Sequence, residues 1–179
     1  YLSGEGYSCN VHTLYSVDIS DPYNLRYIAS AAPNRCKAYE VKVVDDVLYV
    51  AAWSTALQVL NVSSGFFDWR WDYDAGATAY TLDVAYQRAY VGAADGYVPA
   101  NDGVYIIDVS NPRPPDPSAM LISKLPISRG GVSGIVARGG YLYYCDGDFF
   151  VIANVSNELQ PVEVVRRNMN SFFGGGLAL

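Results

Sequence analysis

"VYIIDVSNP" at Val104–Pro112 has a looser copy, "LYSVDISDP", at Leu14–Pro22, and two more, "LQVLNVSSG" at Leu57–Gly65 and "FVIANVSNE" at Phe150–Glu158. Each is an apolar run that ends at an Asp or Asn, with a Ser two positions further on: Asp18, Asn61, Asp108 and Asn154 are the four turn-opening residues. They recur about every 45 residues, and a period in the forties filled with short apolar runs is the mark of a propeller, whose blades are four-stranded antiparallel sheets. A helical repeat of that length would space apolar residues three and four apart, whereas these segments alternate. The repeated nonapeptide is turn chemistry. An Asp or Asn side chain folds back onto the amides of the turn, and a following Pro presets φ without an N–H to leave unpaired. Val104, Ile106 and Ile107 ahead of it have the branching expected of blade interior.

The second copy spells out a whole unit: "AYEVKVV" (38–44), "VLYVAA" (47–52), "ALQVLNV" (56–62) and "FDWRWDY" (67–73) read as four successive strands. The third repeats the order as "AYTLDVAY", "RAYVGAA", "GVYIIDVS" and "MLISKLPI", and the fourth as "VSGIVAR", "YLYYCD", "FFVIANVS" and "PVEVVRR". The expected fold is therefore all-β, a single β-propeller domain or propeller fragment over residues 1–179. Its blades fall at about 1–34, 35–74, 75–128 and 129–168, and 169–179 supplies the first strand of a further or closing blade. A blade cannot bury both faces alone, so the units must stack. The chain opens inside a second strand and stops at "SFFGGGLAL", which resembles a first strand. A window cut from a longer propeller is the expected arrangement, and a four-bladed ring closed by the two termini is the alternative.

The strand "AYV" followed by "GVYIIDVSNP" and an apolar fourth strand, clearest at Ala89–Pro112, resembles the LVIVD repeat family of bacterial and archaeal surface propellers. The second copy, "NVSSG", and the fourth, "NVSNE", depart from its pattern by lacking the Pro. The resemblance implies a propeller and an extracellular or cell-surface location. It brings no catalytic motif.

Composition narrows the function classes. With 51% hydrophobic and 17% charged residues the chain is expected to fold, and no apolar stretch reaches the roughly 18 residues of a membrane helix. A net charge of −6 argues against nucleic acid, whose phosphates need clustered Lys and Arg. The basic pair Arg166–Arg167 reads as a solvated strand end. An initial Tyr1 in place of Met is expected of a mature or trimmed product.

Candidate site residues fall into four groups. Strand alternation in "FFDWRWDY" puts Phe67, Trp69, Trp71 and Tyr73 on one side, as a stripe that either packs on the next blade or serves as a protein contact or a platform for sugar rings. Asp95, Asn101 and Asp102, in a long loop between second and third strands, offer oxygen ligands to Ca²⁺ or form a plain solvated turn; no other cofactor is implied. Asp146 and Asp148 face the same choice, with a tight Asp-Gly turn as the plainer reading. Cys9 and Cys36 fall on the same face and are a disulfide candidate, while Cys145 reads as a small core residue and His12 as a surface residue. Asn61 and Asn154 match the N-glycosylation acceptor pattern, yet both sit where the repeat itself demands Asp or Asn.

Two functions from different classes follow. One is a noncatalytic secreted or cell-surface propeller acting as a structural or protein-interaction module within a larger assembly, with a protein partner or homo-oligomer expected and carbohydrate as a further ligand class. The other is a propeller enzyme, a polysaccharide hydrolase or lyase, with active residues partly outside this chain.

Overall fold

The computed structural model describes residues 2–3, 14–32, 37–53, 55–96, 98–111, 113–127, 131–170 and 177. Cys9, His12 and Cys36, with the first-copy loop and nearly all of "SFFGGGLAL", lie outside the described residues.

β-branched and aromatic runs broken by Asp, Gly and Pro make short strands that pair with their sequence neighbours. β1 (Leu2–Ser3), β2 (Leu14–Asp18) and β3 (Arg26–Ala31) form the first sheet, three-stranded among the described residues. β4 (Ala38–Val44), β5 (Val47–Ala52), β6 (Thr55–Asn61) and β7 (Asp68–Tyr73) form the second. The third comprises β8 (Thr78–Ala85), β9 (Arg88–Ala94), β10 (Gly103–Asp108) and β11 (Leu121–Leu125). The fourth comprises β12 (Val132–Arg138), β13 (Tyr141–Asp146), β14 (Phe149–Asn154) and β15 (Val162–Asn168). Every strand pair is antiparallel and the fold is all-β, built of propeller blades.

The repeated turn does what its side chains allow. In all four blades the turn-opening oxygen accepts from the Ser amide two residues on: Asp18 from Ser20 at 2.9 Å, Asn61 from Ser63 at 3.2 Å, Asp108 from Ser110 at 2.8 Å and Asn154 from Ser156 at 2.9 Å. The residue in between anchors the turn back to the blade, since the amides of Val62, Val109 and Val155 donate to the carbonyls of Asp46, Gln87 and Gly140.

Both departures from the motif have local causes. Gly65 takes the place of the Pro in the second copy and holds φ at +79°, where proline's ring cannot go. Glu158 takes that place in the fourth copy and reaches across to Arg88 of the third blade at 2.7 Å.

Packing follows from alternation. One face of the second blade (Leu48, Val50, Ala52, Leu60) meets Leu14 of the first, and its other face (Tyr49, Leu57, Val59, Trp71, Tyr73) meets Leu82, Val91, Tyr105 and Ile107 of the third. The far face of the third (Tyr90, Val104, Ile106, Leu125) meets Ile135, Leu142, Tyr144 and Val151 of the fourth. Each fully buried Val, Leu or Ile is worth about 1.5–3 kcal/mol, so these faces are the main stabilising term. The approach is closest at Gly92, where an added Cβ would stand 2.6 Å from Val132 and 2.8 Å from Thr81.

Burial would raise the Asp108 carboxyl, but the hydrogen bonds from Ser110 and the Arg88 guanidinium outweigh it and hold the group below its ordinary 3.8. A depressed carboxyl contributes stability that is complete above the unfolded value and is lost as pH falls through the folded one. The urea midpoint is therefore expected to decline below about pH 4, with a shallower decline in Asp108→Asn. Gly65→Pro, which also removes the Gly65 amide's bond to the Val62 carbonyl, is expected to cost more than about 1 kcal/mol in the same titration.

Candidate functional site

The first strands β4, β8 and β12 lie side by side, and backbone amides facing a neighbouring blade need acceptors. Carboxylates supply them. Glu40 of β4 accepts from the Leu82 amide of β8 at 2.9 Å, and Asp83 of β8 accepts from the Ala137 amide of β12 at 2.8 Å. Asp83 also pairs with Lys42 of β4 and accepts from the Val84 amide, so one nearly buried carboxylate ties three blades together.

All three first strands carry a one-residue irregularity at the same register. It falls between Ala38 and Glu40, between Ala79 and Thr81, and between Val132 and Gly134, leaving Tyr39, Tyr80 and Ser133 as the extra residues. A bulge inserts one extra residue into the strand and re-aims its side chain. Tyr39, Tyr80 and Ser133 accordingly line one pocket of about 250 Å³, together with Glu40, Thr81 and Leu177. A second pocket of about 350 Å³ shares Tyr80 and Ser133 and is bounded on its far side by Asp95, Gly96, Asp102 and Gly131. Tyr39 stacks on Trp53 with centroids 6.5 Å apart and meets Tyr80 at 5.0 Å, while the Lys37 ammonium sits 4.8 Å over the Trp53 ring.

Asp95, Asn101 and Asp102 come together on this rim, bonded to their own loop. Asp102 accepts from the Asp95 amide at 2.8 Å, Asp95 accepts from the Val98 amide, and Asn101 Nδ2 donates to Asp95 at 3.4 Å and to the Gly76 carbonyl at 3.3 Å. The Tyr105 hydroxyl, pushed up to about 12 by burial and the neighbouring acidic groups, donates to the Asn101 carbonyl. Among the described residues no group of three or more His, Cys, Asp or Glu is arranged to hold a metal ion.

The aromatic stripe is divided. A register shift between Val59 and Leu60 breaks the alternation along β7. Phe67 packs toward the first blade, and Trp71 and Tyr73 are buried toward the third. Trp69 is in β7, and its side chain lies outside the described set. Asp146 does not open onto either pocket: it is fully buried and paired at 2.8 Å with Arg166, which also grips Glu163, so Arg166 is held in the blade and is not a solvated end. Asp148 closes the β13–β14 turn beside Gly147, whose φ is +56°. Cys145 is buried, with its thiol raised by that burial. The residues missed by sequence reasoning are Tyr39, Trp53 and Tyr80. The signal was an Ala-Tyr pair opening the first strand in both the second and third copies.

The far face of the fourth blade is the other exceptional surface. Register-matched rows are Tyr49–Val59–Trp71 in the second blade, Tyr90–Ile106–Ser123 in the third and Tyr143–Ile152–Val165 in the fourth. Tyr49, Val59, Trp71, Tyr90 and Ile106 are buried by the next blade; Tyr143 and Ile152 are only half-buried and Val165 is 43% exposed.

Sheets of this connectivity, stacked face to face with their first strands adjacent, define a β-propeller-like repeat protein. The LVIVD repeat model matches residues 89–120 and 129–168, and the chain carries this repeat in its third and fourth blades. No curated protein matches it. Among solved structures, the crystal structure of the computationally designed Ika8 protein is similar with a TM-score of 0.55 at 11% identity, over 75% of this chain. The chain spans 38% of that protein's length, and the likeness is one of fold alone.

Asp83→Ala strands the Ala137 amide and leaves Lys42 half-buried without its partner, and is expected to cost about 3 kcal/mol by urea denaturation. Asp83→Asn keeps an acceptor for Ala137 and is expected to lose clearly less.

Proposed function

We propose that the chain is a noncatalytic secreted or cell-surface module that works by binding protein, and that the far face of the fourth blade, only half-buried at Tyr143 and Ile152, is its contact surface. The observation carrying this reading is the Tyr143–Ile152–Val165 row. In the two preceding blades Tyr49, Val59, Trp71, Tyr90 and Ile106 of the corresponding rows are covered by a sheet of the same design. The half-buried Phe150 stands in register with Leu57 and Val104, both at 0% exposure. Its continuity with two existing blade-to-blade interfaces favours another blade as the occupant, and a second copy of this chain supplies one. The LVIVD resemblance supports the location at the cell surface.

The 179-residue chain is expected to self-associate in sedimentation velocity with a concentration-dependent mass, and Ile152→Glu with Phe150→Ser to return it to a monomer of unchanged circular dichroism. A wild-type chain that stays monomeric at every concentration tested would remove the second copy as occupant.

A further inference from the structure

We infer that the bulged ends of β4, β8 and β12 form a binding site for an uncharged, hydroxyl-rich ring ligand, a neutral oligosaccharide. This site is separate from the far face of the fourth blade, and the two readings stand or fall independently.

The argument begins with where the exposed aromatics are. Tyr80 is 43% and Trp53 44% exposed, and both rings pack against Tyr39. Tyr39 and Tyr80 occupy bulge positions, so their placement is set by the backbone and not by the needs of the core. Together with Trp53 they make a group of three rings beside two pockets that share Tyr80 and Ser133 in their linings. The larger of the two, about 350 Å³, falls within the usual range for small-ligand sites, about 300–1,000 Å³.

The chemistry around the rings selects the ligand. A second cation is disfavoured, because the Lys37 ammonium already sits over the Trp53 ring and meets the attraction of its π face. An anion meets Glu40, Asp95 and Asp102 on the pocket walls. A purely apolar ligand would strand those carboxylates along with the Thr81 and Ser133 side chains. A pyranose has what remains: C–H faces to lay on aromatic rings and hydroxyls to give to carboxylates and to exchange with Ser and Thr. Asp95 and Asp102 are prearranged for this by the backbone amides they accept from, which lowers the ordering cost of binding.

The test is isothermal titration calorimetry of the full chain against defined neutral hexasaccharides (cellohexaose, xylohexaose, mannohexaose, chitohexaose), with hexagalacturonate as the anionic and tetramethylammonium as the cationic probe. At least one neutral hexasaccharide is expected to bind with Kd below roughly 1 mM. Tyr80→Ala and Trp53→Ala are each expected to weaken it by about tenfold while leaving the thermal melt in place. Ser133→Ala, a far smaller change, is expected to weaken it measurably and serves if an aromatic variant misfolds. The inference is overturned if none of the neutral probes binds at millimolar concentration, if binding survives all three substitutions, or if only the charged probes bind.

Discussion

A pleated sheet with two apolar faces cannot be left in water on either side, and nearly everything about this chain follows from that constraint. Alternation along β5 and β9 sends Leu48 and Val50 one way and Tyr49 and Ala51 the other, then Ala89 and Val91 one way and Tyr90 the other. A sheet of this kind is stable only between two like sheets, so the unit recurs. The same constraint makes the last face conspicuous: Tyr143 and Ile152 are only half-buried and Val165 is 43% exposed, where Tyr49, Val59, Trp71, Tyr90 and Ile106 of the preceding blades are buried.

Apolar faces fix that blades stack but leave the stacking free to slide. Polar contacts between first strands supply the register, because a carboxylate that accepts one particular amide is satisfied at only one setting. Glu40 selects Leu82, Asp83 selects Ala137, and on the opposite edge Glu158 selects Arg88. Ser123, which bonds the Glu158 carbonyl, reinforces the same joint. A displacement of one residue would leave each of these groups buried or half-buried without its partner, which is costlier than the bonds themselves are favourable.

The architecture was legible because it is written in local terms. Apolar alternation, the Asp or Asn with its Ser two residues later, and the period separating the copies each depend on neighbours in sequence, and Asp18, Asn61, Asp108 and Asn154 occupy matching turns. The aromatic run was misjudged for a physical reason. One extra residue in β7 reverses alternation partway along, so residues two apart cease to share a side. Bulges also conceal the candidate site. Tyr39 and Tyr80 look like ordinary strand residues in sequence, and only the pairing of Ala38 with Ala52 and Glu40 with Ala51 shows that Tyr39 sits at a bulge. Nor did the sequence reveal that Asp146 spends its charge on Arg166, since the two are joined through β14.

The repeat is most informative where it is broken. Proline suits the turn when the chain needs only a preset negative φ, and the first and third copies keep it. The second copy needs a left-handed residue there, and Gly65 supplies it at φ +79°. The fourth copy needs a charge, because Arg88 lies within reach from the third blade, and Glu158 meets that one. Gly65 serves its own turn, Glu158 serves the junction with the third blade, and the recurring Asp or Asn serves its own turn in every copy. The variable position is thus free to answer a local need, a backbone angle at Gly65 or a neighbouring charge at Glu158, while the constant position is where the chain is folded as a blade at all.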